Sequence, residues 1–194
     1  MPIEISYRSD FDGSFPASLT EVLTVEAHSL GTQKNPGGGY YDLCGFYLRV
    51  LDDLWQEDAA LNTGISTVSL DLSNAPGGLT ETEKAALTWR FAQSHGTEAV
   101  SGNRDTLITE GHLTKLEIPG CNGENTYYEW ADGCLFSITS HEREDLETYS
   151  LPVLRFDAHK YRGPLAAYWF SDCIAVWPQM GTWSEYTVGS RVIA

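Results

Sequence analysis

The sequence predicts a single α+β domain over residues 1–194, with a mainly antiparallel sheet and two main helices. Two segments show helical periodicity behind capping signals, and the second half of the chain consists mostly of short strand-like segments separated by turn residues. A hydrophobic fraction of 42% over 194 residues is sufficient for a substantial core.

The first elements are an opening strand over residues 3–7 and a helix over residues 18–30. Ser18 and Glu21 have the spacing of a capping box, and Gly31 is placed to end the helix. One apolar face recurs at helical spacing, formed by Leu19, Val22, Leu23, Ala27 and Leu30.

Residues 34–54 are the stretch around which the other elements are arranged. Pro36 and the glycines at 37–39 predict a tight turn, because proline fixes φ and glycine tolerates positive φ. The aromatic and apolar residues that follow are typical of a core strand. Residues 52–58 then place four acids around Leu54 and Trp55, which predicts a solvated loop or short helix with Trp55 as an anchor.

The middle of the chain gives two clear signals. Residues 66–72 alternate in polarity, which predicts a strand with Val68, Leu70 and Leu72 on one face. Residues 80–95 predict the second helix, with a capping box at its start and Gly96 as its stop.

The second half is predicted to be mainly β. The clearest signal is a hairpin over residues 126–139, with Asp132 and Gly133 at its turn. The apolar run at 165–177, broken only by Ser171 and Asp172, fits either a buried helix or a buried strand. Further strands are predicted at residues 106–108, 113–118, 151–156 and 183–193.

Charge is the strongest global feature. The chain carries 27 acids against 12 bases, a formal net charge of −15 that is spread over both halves. An evenly acidic protein repels phosphate backbones and anionic membrane surfaces, so neither direct nucleic-acid binding nor membrane association is expected. It attracts basic surfaces, so the expected partner is a protein with a basic surface. The alternative is that the acidity serves only to keep the protein soluble.

Other sequence features set location and thiol chemistry. The N-terminus has no signal-peptide pattern and no stretch is apolar enough to span a membrane, so a cytoplasmic location is expected. Cys44, Cys121, Cys134 and Cys173 lack the close spacing of a zinc or redox pair. They are predicted to be buried free thiols.

Catalytic motifs are absent from the sequence. There is no zinc-protease helix, phosphate-binding loop or Gly-x-Ser-x-Gly elbow, and the charged stretch after His141 lacks the spacing of a calcium loop. No catalytic residue, metal ligand or cofactor is therefore predicted. One alternative stays open, a Cys–His hydrolase in which Cys44 pairs with His112, His141 or His159.

Two acidic segments are the candidate partner-binding residues. The first contains Asp52, Asp53, Trp55, Glu57 and Asp58. The second contains Glu142, Glu144, Asp145 and Glu147. Charge complementarity would speed association, and desolvated aromatic anchors would carry most of the affinity.

Residues 17–95 resemble the ArdB/KlcA antirestriction proteins. The resemblance lies in the order of elements: the helix at 18–30, the Gly-Gly-Tyr-Tyr-Asp-Leu segment at 38–43, Gly-Phe-Tyr-Leu at 45–48, a strand and the helix at 80–95. Cys44 and Gly45 stand where that family has an Asn-Gly-Gly element. The resemblance implies a small mobile-element protein that blocks a bacterial defence system and is not an enzyme.

The leading functional hypothesis is thus a non-catalytic inhibitor that binds a protein partner through an acidic surface. The target would be a defence nuclease complex or a toxin for which this chain is the immunity protein. The alternatives are the hydrolase centred on Cys44 and a structural component of a virus particle.

Overall fold

A computed structural model describes residues 43–116, 126–141, 153–176 and 186–194. The predicted strand at 3–7, helix at 18–30 and turn at 34–39 lie outside these residues. The helices described are α1 (Leu43–Gln56), α2 (Glu81–Ser94) and α3 (Arg104–Thr109), with a 3-10 turn at Ala59–Asn62. The strands are β1 (Thr67–Asp71), β2 (Glu98–Ala99), β3 (Thr114–Leu116), β4 (Tyr127–Glu129), β5 (Gly133–Ser140), β6 (Val153–Gly163), β7 (Ala166–Val176), β8 (Tyr186–Thr187) and β9 (Ser190–Ile193).

A seven-stranded sheet forms the framework. Its strand order is β2-β1-β5-β6-β7-β8, and β9 also pairs with β7. β1 is parallel to both β2 and β5, whereas the other pairs are antiparallel. β3 and β4 form a separate antiparallel pair. The α+β class and the mainly antiparallel sheet are confirmed.

Helix α1 corrects the prediction of a core strand after the turn. Its buried apolar side chains recur three or four residues apart, which is the helical period, and they form one continuous face. They are Phe46, Tyr47, Val50, Leu51 and Leu54. The aromatic content favoured a strand, but the spacing decides the outcome because only a helix turns all five toward the core.

Strand β1 and helix α2 are confirmed close to their predicted bounds. Val68, Leu70 and Leu72 are buried, as the alternation predicts. Thr80 caps α2: its hydroxyl accepts the Glu83 N–H, and the Glu83 carboxylate accepts the Thr80 N–H at 2.7 Å.

The segment after β2 differs from the sequence prediction. Residues 106–108 were expected to be a strand but belong to α3, whose first turn is capped by Asn103 accepting the Thr106 N–H at 3.0 Å. Three apolar-rich residues are too few to show a period, so the capping residue was the informative signal. β3 lies within the strand predicted at 113–118.

The predicted hairpin at 126–139 contains both strands but not their pairing. β4 pairs with β3, and β5 pairs with β1 and β6. Trp130 turns the chain out of a hairpin path: its N–H donates to the Arg162 carbonyl at 2.7 Å, and its indole fills the space where Gly133 has no side chain. As predicted, Cys134, Phe136 and Ile138 share one buried face.

The last strands also extend the predictions. The strand expected at 151–156 runs on to Gly163, and the ambiguous apolar run is the strand β7. The closing strand expected at 183–193 contains two short strands, β8 and β9.

Two apolar clusters stabilise the fold. The larger one lies between the sheet and helices α1 and α2, and it includes Phe46, Leu51, Phe91, Phe136, Phe156 and Phe170. The smaller one joins α3 to the sheet through Leu107, Leu113, Trp130 and Leu135. No helix among the described residues has the length and apolarity that crossing a membrane requires.

Candidate functional site

The C-terminal end of α1 brings the first set of predicted partner-binding residues together. Asp52, Asp53 and Trp55 lie in its last two turns, and Glu57 and Asp58 follow it directly. We call Asp52, Asp53, Glu57 and Asp58 the acidic cluster. The contacts that these residues make within the fold determine how exposed and how ordered their carboxylates are.

Asp52 and Asp53 are fixed by neighbours from three elements. Asp52 Oδ1 lies 3.0 Å from His95 Nε2 at the end of α2. Asp53 pairs with Arg49 at 2.8 Å and accepts the Tyr186 hydroxyl at 3.0 Å. Burial raises the pKa of Tyr186 and the Asp53 charge adds to that rise, so the phenol stays protonated and donates. The two aspartate side chains remain 41% and 32% exposed, so they are accessible as well as held.

Glu57 is held by the C-terminal strands. The Tyr168 hydroxyl donates to Glu57 Oε2 at 3.1 Å, and Arg191 Nε lies 3.2 Å from Oε1. The Glu57 side chain is still 34% exposed. Asp53 and Glu57 therefore present carboxylates whose positions are set by side chains on β7, β8 and β9.

Trp55 lies half in the core. Its ring stacks on His95 with centroids 4.1 Å apart and contacts Phe91 and Phe136, each at 5.9 Å. Since the ring is half-buried, it joins the acidic cluster to the main core and offers only part of its surface to a partner.

The second predicted set, Glu142, Glu144, Asp145 and Glu147, lies outside the described residues. His141, just before it, is described and forms a second site of interest. Its Nδ1 lies 3.0 Å from Asp157 Oδ2, and its Nε2 lies 3.1 Å from Asp172 Oδ1.

A β-bulge creates this arrangement. Two residues of β7, Ser171 and Asp172, face the single residue Asp157 of β6. Asp172 has a left-handed φ of 54°, and its N–H donates to Asp157 Oδ1 at 2.8 Å. Gly189 packs against it, where a Cβ would lie 2.6 Å from Asp172 Cβ. Bulges and left-handed residues of this kind are common beside functional sites.

His159 and Trp169 lie on the same face of the sheet as Asp157. They are directly paired across β6 and β7, and their rings stack with centroids 6.0 Å apart. Burial lowers the pKa of His159, while the charge of Asp157 acts in the opposite direction. On the face that points away from α1 and α2, this part of β6 and β7 thus carries polar and aromatic side chains.

The chemistry available at the bulge is limited by its own contacts. Each nitrogen of His141 already faces a carboxylate, so neither can serve as a general base in this conformation. Within the described ranges, no group of three or more His, Cys, Asp or Glu side chains is arranged to hold a metal ion. The two nitrogens point to different carboxylates, which is the reason this trio does not converge on one ion.

The three cysteines among the described residues are buried. Cys44 is 8% exposed and packs in the larger core cluster on the helix side of the sheet, whereas His159 lies on the other side. His112 packs near Trp130, with ring centroids 5.4 Å apart. Cys134 and Cys173 are free and buried, and burial raises the pKa of each thiol to about 12. Thiols in such settings are poor nucleophiles.

The sequence located the acidic cluster but not the bulge site. Asp157 and Asp172 are isolated polar residues in strands, and the only signal was the Ser171–Asp172 interruption of the apolar run at 165–177.

Neither the models of protein families, nor the curated proteins, nor the solved structures contain a match to this chain.

Proposed function

We propose that this protein is a non-catalytic inhibitor that binds a basic surface of a protein partner through the acidic cluster. The target class is a defence nuclease complex, for an anti-defence protein of a phage or mobile element, or a toxin, for an immunity protein. The observation that carries the proposal is that the carboxylates of Asp52, Asp53 and Glu57 are accessible and at the same time fixed in position.

Fixed carboxylates favour binding for a physical reason. Side chains that are already ordered lose less conformational freedom when a partner docks, so more of the interaction energy appears as affinity. Tyr168, Tyr186 and Arg191 order Asp53 and Glu57 in this way before any partner arrives.

The charge of the whole chain also supports the proposal that the protein binds a basic surface of a partner. The chain carries 27 acids against 12 bases. Several of those bases are directed at neutral groups: Lys160 and Arg162 bind backbone carbonyls, and Arg104 lies 5.1 Å from the Tyr161 ring centroid. The acids at the surface are therefore only partly balanced, and the protein attracts basic surfaces over a distance of about one Debye length.

The experiment compares three immobilised proteins in a pull-down from a bacterial host lysate. The cluster variant D52N/E57Q/D58N removes three charges while keeping side-chain size, and an asparagine in place of Asp58 tolerates the left-handed φ of 42° found at this position. The matched control E81Q/E98Q/E110Q removes three charges from exposed residues elsewhere.

A partner recovered by the wild type and the control, but reduced by roughly tenfold or more with the cluster variant, is the expected result. Equal recovery by all three proteins, or equal loss with both variants, would show that net charge rather than this cluster governs binding.

A further inference from the structure

The acidic cluster rests on a buried cation. Lys160 of β6 is only 1% exposed, and its ammonium group lies between β6 and the end of α1. It donates to the carbonyls of Trp55 at 3.3 Å, Glu57 at 2.9 Å and Asp58 at 3.3 Å. An ammonium has three donors, so all of its hydrogen-bonding capacity is used by the backbone of residues 55–58.

This contact has two effects on the chain. A positive charge at the C-terminal end of α1 is favourable, since the last carbonyls of a helix carry partial negative charge. The same charge also binds the carbonyls of the two residues that follow the helix, where Asp58 adopts its left-handed φ of 42°. The backbone of residues 55–58 is thereby held in place by Lys160 of β6.

Arg162, two residues along the same strand, continues the support. Its Nη1 donates to the carbonyls of Leu61 at 3.1 Å and Thr63 at 2.7 Å, and its Nη2 donates to the Ala131 carbonyl. Two cations of β6 therefore bind five carbonyls within residues 55–63. Residues 160 and 162 share one face of the strand, which is why they can serve one segment.

A lysine is a costly choice for this position. Burial lowers the pKa of Lys160, because removing an ammonium from water is unfavourable, and Cys134, Asp58 and Glu57 act in the opposite direction. Its alkyl chain could be replaced by that of methionine with little change in packing volume. What methionine would not supply is the set of bonds that orient the acidic segment.

We infer that Lys160 is a positioning residue of the partner-binding site: it holds residues 55–58 so that the acidic cluster keeps one geometry. The inference rests on the proposed function for the word "binding", but the positioning itself is measured without a partner.

The first measurement is amide hydrogen exchange followed by NMR in the variant K160M. The N–H groups of Glu57 and Leu61 bond to the Asp53 and Asp58 carbonyls and report on the segment directly. We expect them to exchange roughly tenfold faster than in the wild type, while the amides of α2 keep their protection. K84M, which removes one charge from the surface of α2, should leave Glu57 and Leu61 unchanged. K160R, which keeps a cationic donor, should restore part of the protection.

A second measurement on the wild type needs no variant, so a K160M protein that fails to fold does not end the test. The ammonium protons of Lys160 should exchange with solvent far more slowly than those of Lys84. If they exchange equally fast, or if K160M leaves the exchange of Glu57 and Leu61 unaltered, the positioning role is wrong.

Partner binding then separates the two proposals. The probe is the partner protein recovered in the cluster-dependent pull-down. K160M makes the chain more acidic, so charge alone predicts that this variant associates faster with the partner. Positioning predicts slower association by the folded protein. Suppose that amide exchange is faster in K160M but that D52N/E57Q/D58N associates with the partner at the wild-type rate. That result would overturn the proposed function while leaving the local role of Lys160 intact.

Discussion

At the residue scale, the acidic cluster could be located from the sequence but its environment could not. Four acids within residues 52–58 are visible in the printed chain. The groups that order Asp53 and Glu57 come from positions 111 to 134 residues away, at Tyr168, Tyr186 and Arg191. Sequence spacing carries no information on such contacts, because the fold alone brings these residues together.

The bulge site shows the same limit more strongly. Asp157 and Asp172 meet only because β7 has one residue more than β6 at this point. A bulge of this kind follows from strand pairing and from the close packing of Gly189, neither of which a periodicity argument can reveal.

His159 gives a prediction for acidic pH. Its pKa is lowered in the folded protein, so below the unfolded value of about 6.5 the unfolded chain binds more protons and folding is weakened. The stability that neutral, buried His159 allows is fully present above pH 6.5 and is lost as pH falls toward the pKa of His159 in the folded protein. We expect the wild type to lose more stability between pH 7 and pH 5 than H159Q does, measured by urea denaturation. All other titrating groups are common to both proteins, so a stability difference that does not change with pH would contradict the account.

At the element scale, the error at α1 is instructive because the correct signal was present. The residues from Leu43 to Leu54 are rich in aromatic and branched side chains, which favour strands. Their buried members nevertheless follow the helical period, and period outweighs propensity when one face must be buried. The helix α2 was predicted correctly because its capping box and its period agree.

The capping box of α2 gives the second prediction. T80A should destabilise the protein by about 1 kcal/mol, since it removes the hydroxyl that accepts the Glu83 N–H. T80S, which keeps the hydroxyl, should be nearly neutral. The hydrogen bonds from Thr80 lower the pKa of Glu83. The part of the stabilisation that comes from the Glu83 carboxylate is therefore present above pH 4.5 and is lost as pH falls below it. Urea denaturation at pH 7 and pH 3.5 measures the effect; a T80A deficit of the same size at both values would show that Glu83 plays no part.

The false hairpin gives the third prediction, because one glycine explains it. A Cβ at Gly133 would overlap the Trp130 indole, so G133A should cost about 1–3 kcal/mol as strand β5 or the ring is displaced. The control is G163A on β6, where a Cβ would lie at an ordinary 3.4 Å from Glu129 Cβ. Chemical denaturation of both variants decides the matter, and equal stability of the two would mean that Trp130 does not occupy that space.

At the scale of the whole molecule, composition predicted the class of the fold better than the order of its strands. The apolar content and turn residues were sufficient for an α+β class with a mainly antiparallel sheet. The parallel pairing of β1 with β5 was not predictable, because it joins segments more than 60 residues apart and depends on α2 and α3 lying between them in the chain. The net charge of −15 likewise predicts attraction to a basic partner without saying where that partner docks.

The most direct test of the central claim is the salt dependence of association between this protein and the partner recovered in the pull-down, measured by stopped-flow. A fixed acidic cluster predicts that the wild type and E81Q/E98Q/E110Q associate fast at low salt and slow steeply as salt is added, because exposed charges are screened. For D52N/E57Q/D58N it predicts an association rate lower by about tenfold at low salt, with a shallower dependence. Identical rates and slopes for the wild type and the cluster variant would contradict the account.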